Sequence, residues 1–469
     1  MADAIGRASA DTRLDDRRHR WLELKRACAA GRLDDVQQMC ILLKRLGPTV
    51  DRNRGCALLR LACHGGHLAT AQQLVQEFPL AIPDSAEMLE LILQTACAGR
   101  LDFAQWLYAT FGLTADDVRA DSNLALRNAC AGGHLVFAQW LHATFGLTAH
   151  DARSSENGAL RGACGFGHLS VAQWLHDTFQ LTVQDIRAKT NSALSNACAG
   201  GHLGVARWLQ QTFHLTAADA RTGNNYALRR ACEKGHLVVA QWLYATFGLN
   251  AADARASDNS ALCWACAGGH LEVARWLYQT FQLTALDARS TSNHALLVAC
   301  VGGHLRVAQW LHSTFGLTII DLWMGSNQIA RKTCASGHLA VICWLHETFR
   351  LTARDVLGDE YETIRDVVTF GHLPVLRWIW QTWDLPPAAL VGALERAPVA
   401  GACAAYLRNL RNSRALCWSP RTHVDFPPNA RRIALQLLLI RSRMAHTPDG
   451  MPALPTELWL HLLSYLPAW

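Results

Sequence analysis

Eight times in this 469-residue chain a cysteine stands four residues ahead of a histidine, from Cys63 and His67 through Cys130 and His134 to Cys334 and His338. Thiolate and imidazole are good zinc ligands, and a closed zinc site takes four of them at roughly 2.0–2.3 Å. Each pair supplies two, and stacking would separate neighbouring pairs too widely to complete a tetrahedron. The spacing therefore predicts a turn histidine whose ring bonds backbone of its own or the adjacent repeat, with no metal. Carboxylates form a second recurring set, because Asp151, Asp219, Asp253 and Asp287 each open an Asp-Ala-Arg tripeptide. An active site is made once, whereas this feature recurs, so a helix cap and a surface ion pair are expected. No P-loop, dinucleotide fingerprint, nucleophile elbow or HExxH is present. Neither catalysis nor a cofactor is expected.

These residues are carried by a repeat of 34 residues, with one step of 33, between Cys97 and Val368. Its clearest copy reads ALRNACAGGHLVFAQWLHATFGLTAHDAR from Ala125 to Arg153. The turn glycine marks eleven units, from Gly31 to Gly371. A unit of this length cannot bury its apolar face alone, so neighbours must stack. Ala125, Leu126, Ala129 and Cys130 make one face of a first helix that ends near Gly133. Leu135, Ala138, Leu141 and Phe145 make the stripe of a second, antiparallel helix. Trp140 and its eight equivalents, Trp106 to Trp378, are expected in the core. Thr148 stands three residues before Asp151, as do its equivalents, a capping-box-like start that predicts a short helical turn between the main helices. Asn250 replaces the threonine once and keeps the capping chemistry.

Ten units carry cysteine at one position, from Cys28 to Cys334, and the eleventh has Val368. Stacked helices lie about 8–10 Å apart, beyond the roughly 7 Å that a disulfide spans. Reduced, buried thiols are expected, as in cytosol or nucleus, and for a viral chain those of the host cell. Half the residues are hydrophobic and mean hydropathy is +0.04, with no apolar run long enough for a membrane span. The N-terminus has no signal-peptide core. The formal charge of +6 is mild, so nucleic-acid binding would need a concentrated basic stripe.

The order A-C-x-x-G-H-L-x-V-A-x-W-L resembles the ankyrin consensus, with Leu126 at the Leu of its T-P-L-H-x-A opening and Gly133-His134-Leu135 at its turn. No Thr-Pro opens these units, and Trp-Leu with L-T-x-x-D-A-R makes the variant similar to repeats from large DNA viruses of amoebae and from protists. The resemblance implies an all-α, ankyrin-like helical repeat solenoid of about eleven units with a helical C-terminal cap and tail. It also implies a groove lined by the two positions after the inner leucine and the two before Gly-His. Candidate partner-binding residues are accordingly Arg127, Arg161, Arg229, Arg230, Trp264, Leu297, Arg331 and Lys332. A protein partner held by a monomeric chain is expected, with nucleic acid on the basic positions as a distant alternative.

The expected organisation is a flexible charged segment at 1–20, the solenoid at 21–385, a helical cap and linker at 386–429 and a helical tail at 430–469. Within that tail, 454–467 is similar to the first helix of an F-box. Leu454, Pro455, Leu458, Leu462 and Leu466 would then form the face that binds a Skp1-like adaptor of a cullin ubiquitin ligase. A pure scaffold or competitive binder without a ligase link is the alternative.

Overall fold

A computed structural model describes residues 19–45, 52–78, 85–323, 328–358, 362–383, 385, 401–403 and 405–407. Most of the expected N-terminal segment, nearly all of the cap and linker, and the whole tail with Leu454, Pro455, Leu458, Leu462 and Leu466 lie outside them. The chain divides into two compact units. One comprises Met1–Ala231 with Val238–Leu249, the other Cys232–Leu237 with Asn250–Trp469. Both are arrays of helical repeats, and the described residues contain no strand.

A repeat of the first unit begins at Thr114, whose hydroxyl accepts from the Asp117 N–H while the Asp117 carboxylate accepts from the Thr114 N–H. This capping box starts the stretch Ala115–Ala131. One right-handed turn later the backbone reverses hand, and Asp121, Ser122 and Asn123 all take left-handed dihedrals before the inner helix resumes. The same three-residue turn recurs at Ser155–Asn157 and Lys189–Asn191 in this unit, and at Ser257–Asn259 and Thr291–Asn293 in the other. Asparagine always closes it, the residue besides glycine that tolerates this region best. The inner helix buries Ala125, Leu126, Ala129 and Cys130 and ends at a turn where Gly133 has φ +75°. The outer helix Leu135–Phe145 then buries Phe137, Ala138, Leu141 and Phe145 and stops at Gly146, again left-handed.

The second unit repeats this plan. Ala251–Ala267 is capped by Asn250, and Leu271–Phe281 follows as its outer helix. The short helix expected before the inner one stands apart at Ala149–Ala152 and Ala285–Ala288. All the described cysteines are free. Nine of the ten ladder cysteines are buried, but Cys97 is exposed. Its step is the 33-residue one, with one residue fewer between cysteine and turn glycine, so Thr95 and Ala96 occupy the buried slots instead.

The tryptophans require a larger correction. Trp106 and its eight equivalents are half-buried, not core. Each sits beside the core on the outer helix and meets the aromatic ring five residues on edge-to-face, a phenylalanine in eight copies, as Trp174 meets Phe179 at 5.6 Å, and Trp383 at the last, where Trp378 meets it at 5.0 Å. In several repeats a histidine or tyrosine of the preceding outer helix wedges against both rings. His142 lies 6.2 Å from Trp174 and 5.2 Å from Phe179, and Tyr278 plays this part for Trp310 and Phe315. Edge-to-face pairs of this kind join repeat to repeat on the outer side, which leaves the inner helices as the variable face.

Candidate functional site

The recurring aspartates prove to be inter-repeat fasteners. Asp185 accepts from the Thr182 N–H at 2.8 Å, and from Arg153 of the preceding repeat at 2.8 Å to Nε and 3.2 Å to Nη2. Arg187 grips Asp219 in the same fork at 2.7 and 3.1 Å. In the second unit Arg255 grips Asp287 at 2.7 and 3.0 Å, and Arg289 grips Asp321 at 2.6 and 3.1 Å. The pairing thus runs 32 residues forward, from the arginine of one repeat to the aspartate of the next. The arginine also donates to the last carbonyl of an outer helix, as Arg289 does to Gly316. That placement suits the negative end of the helix dipole. The closing asparagine of the left-handed turn adds a third link, Asn191 donating to the Asp219 carbonyl at 3.0 Å and Asn293 to that of Asp321 at 3.0 Å.

The electrostatics follow from these contacts. The hydrogen bond from Arg187 holds the Asp219 carboxyl well below the usual range, against the upward pull of burial and with help from Thr216. At Asp185 and Asp287 burial is the largest single influence and pulls upward, yet the arginine and threonine bonds together outweigh it and the carboxyls stay lowered. A carboxylate so fully ligated by its own protein is a poor acid or base and a stable cap.

The histidines do what a turn residue can do. The His134 Nε2 bonds the Cys97 carbonyl at 3.1 Å and the His304 Nε2 bonds that of Ala267 at 2.8 Å, each in the preceding repeat. Each ring lies over the preceding turn glycine: a Cβ on Gly269 would come within 2.5 Å of the His304 Nδ1. Arg100 takes the place of histidine over Gly66. Burial drives the cysteines away from the thiolate form, pushing Cys28 beside its turn and Cys263 within its inner helix up to about 12. Among the described residues no three metal-ligating side chains gather.

The inner helices carry the candidate binding residues of each unit. In the first, Arg127 donates to the Asp121 carbonyl at 2.8 Å, Arg161 to those of Ser155 and Glu156 at 2.8 and 2.9 Å, and Arg229 to that of Gly223 at 2.8 Å. These guanidiniums lock the left-handed turns of their own repeats. Arg230 lies over the Tyr226 ring at 5.9 Å. In the second unit Arg331 pairs with Glu362, Leu297 is half-buried and Lys332 is exposed. Trp264 is 45% exposed although Ala261, Leu262, Ala265 and Cys266 around it are buried.

Sequence reasoning chose no residue from the pair preceding Gly-His, and there the face is most open. Phe166 in the first unit and Phe370 in the second are each 65% exposed. In the second unit a cavity of about 420 Å³ is lined by Val301, Lys332, Ala335, Ser336, Phe370 and His372. The signal was available as bulky residues at a position filled in other copies by glycine, as at Gly132 and Gly268.

Residues 228–321 match the family model for ankyrin repeats in three copies. No curated protein shows significant similarity to the chain.

Proposed function

We propose that this array of ankyrin-type repeats is a protein-interaction scaffold, non-enzymatic, which holds its partners on the inner-helix faces. Trp264 carries the reading. An indole kept nearly half in water on a rigid helix, among otherwise buried neighbours, is the kind of aromatic anchor that dominates interface energy. The division of labour supports it, because aspartate, arginine, threonine, histidine and tryptophan are spent on joining repeats while the inner face varies. The engagement of Arg127, Arg161 and Arg229 with their own backbone favours a protein over a nucleic-acid partner. Trp264→Ala should weaken capture of a purified partner by about 2 kcal/mol, with circular dichroism unchanged. Normal binding by the folded variant would remove the anchor.

A ligase link is the finer part of the proposal. The pattern Leu454, Pro455, Leu458, Leu462 and Leu466 supports a Skp1-like adaptor on segment 454–467. A pull-down of that adaptor by the intact chain, abolished by Leu458→Asp with Leu462→Asp at unchanged melting temperature, is the expected result. An intact chain that takes up no adaptor would leave a pure scaffold. Among the described residues no helix is long and apolar enough to cross a membrane.

A further inference from the structure

The cavity of the second unit has a composition that selects among protein partners. Its lining is contributed by three successive repeats. Val301 ends the inner helix Ser290–Val301, Lys332 and Ala335 belong to Gln328–Ala335, and Phe370 follows Glu362–Thr369. Val301, Ala335 and Phe370 form apolar walls, and Phe370, 65% exposed, stands over the opening with its ring 6.4 Å from that of His372. At about 420 Å³ the cavity is of a size to take a bulky apolar side chain together with part of its backbone. Polar character is confined to Lys332, Ser336 and His372.

The charges around it decide what accompanies the apolar group. Arg331 is occupied by Glu362, and Arg365 by Asp366 at 3.8 Å. Among the described residues Lys332 has no carboxylate within ion-pair distance and is exposed at the cavity rim. Because it lies in the last turn of its helix it also complements the helix dipole. That partial, screened charge leaves most of a full ammonium charge available to a ligand. On the same unit, Leu297 stands one helical turn before Val301, and Trp264 occupies the inner helix of the repeat before. Apolar side chains thus recur on the inner helices of successive repeats, which suits an extended segment of a partner.

We infer that this cavity is a docking site for an acidic segment of a partner protein, a bulky apolar residue entering between Val301, Ala335 and Phe370 while an adjacent Asp or Glu meets Lys332. The inference rests on the reading that the inner-helix face binds proteins, and narrows it to one place and one chemistry. Ser336→Trp fills the cavity without touching the buried frame, and Lys332→Glu reverses its charge.

A random peptide display library, selected on the full-length chain, supplies the probe. The enriched peptides should combine a bulky apolar residue with neighbouring acidic ones. A synthetic copy, followed by fluorescence anisotropy, should lose at least about tenfold in affinity to Lys332→Glu and all measurable binding to Ser336→Trp. A second selection on Lys332→Glu should enrich basic residues instead. Peptides without acidic bias, or binding equally to Ser336→Trp, would overturn the inference. If those peptides fail on Trp264→Ala, the wider reading of the face survives without this site. If no peptide is enriched and single-stranded RNA binds in a Lys332-dependent way, both readings fall.

Discussion

Replacing Asp287 by alanine should cost this protein about 3 kcal/mol. Its side chain is 9% exposed and accepts from the Thr284 N–H at 2.7 Å, the Thr284 hydroxyl at 3.0 Å, and Arg255 at 2.7 and 3.0 Å. Losing the cap removes about 1 kcal/mol. Breaking a fully buried ion pair costs roughly 3–5 kcal/mol. Arg255 is 36% exposed, so water recovers part of its solvation and about 2 kcal/mol is a better figure here. The protein contains its own control at Asp355. That aspartate keeps the same threonine cap, from Thr352 at 2.8 Å, but Trp323 stands where other repeats have arginine and donates its indole N–H at 3.2 Å. Asp355→Ala should therefore cost about 1–2 kcal/mol. Urea unfolding of the full chain, read by circular dichroism and tryptophan fluorescence, compares the two. Both probes are needed because repeat arrays can lose cooperativity. Equal losses in the two variants would refute the idea that the arginine–aspartate link carries inter-repeat stability.

The depressed carboxyl of Asp219 has a pH signature. Its contribution is present above the unfolded value of about 3.9 and is lost as pH falls toward the lower folded value. Calorimetry should therefore show a melting temperature that is steady near neutrality and falls below about pH 4, and constancy down to pH 3 would count against the fasteners. Gly269→Ala combines φ +76° with a Cβ 2.5 Å from His304, and should destabilise by about 2–3 kcal/mol. Adding His304→Ala should return part of that loss in the same urea titration. In a timed reaction with a thiol reagent read by peptide mass mapping, the exposed Cys97 should be modified before the buried Cys130 and Cys164. Equal rates would show that the ladder is not closed.

The sequence announced the repeat, both helices, the threonine cap and the carbonyl-bonding histidine, because each depends on contacts within a few residues or on a fixed period. Two features depend on geometry that no local pattern displays. The left-handed turns at Asp121–Asn123 and its equivalents carry polar residues of several kinds, and only the constant closing asparagine marks them. Asp-Ala-Arg reads along the chain as a local pair, whereas the fork that forms joins Arg153 to Asp185 in the next repeat. Regular recurrence suggested that the tryptophans were core, yet recurrence is equally the mark of a half-buried seam between repeats, which is what Trp174 and Phe179 make with His142. On the inner face, Trp264 stood out because it departs from its equivalents. Phe370 departs just as clearly, in the pair before Gly-His, where Gly132 and Gly268 stand in other copies.

Hydrogen exchange of the full chain, alone and with a captured protein partner, tests the binding face most directly. The partner should slow exchange at the ends of the inner helices and their turns, around 264–270 and 297–304, and leave the outer helices Leu271–Phe281 and Leu305–Phe315 unchanged. Protection concentrated on those outer helices, with the inner ends exchanging as before, would contradict it.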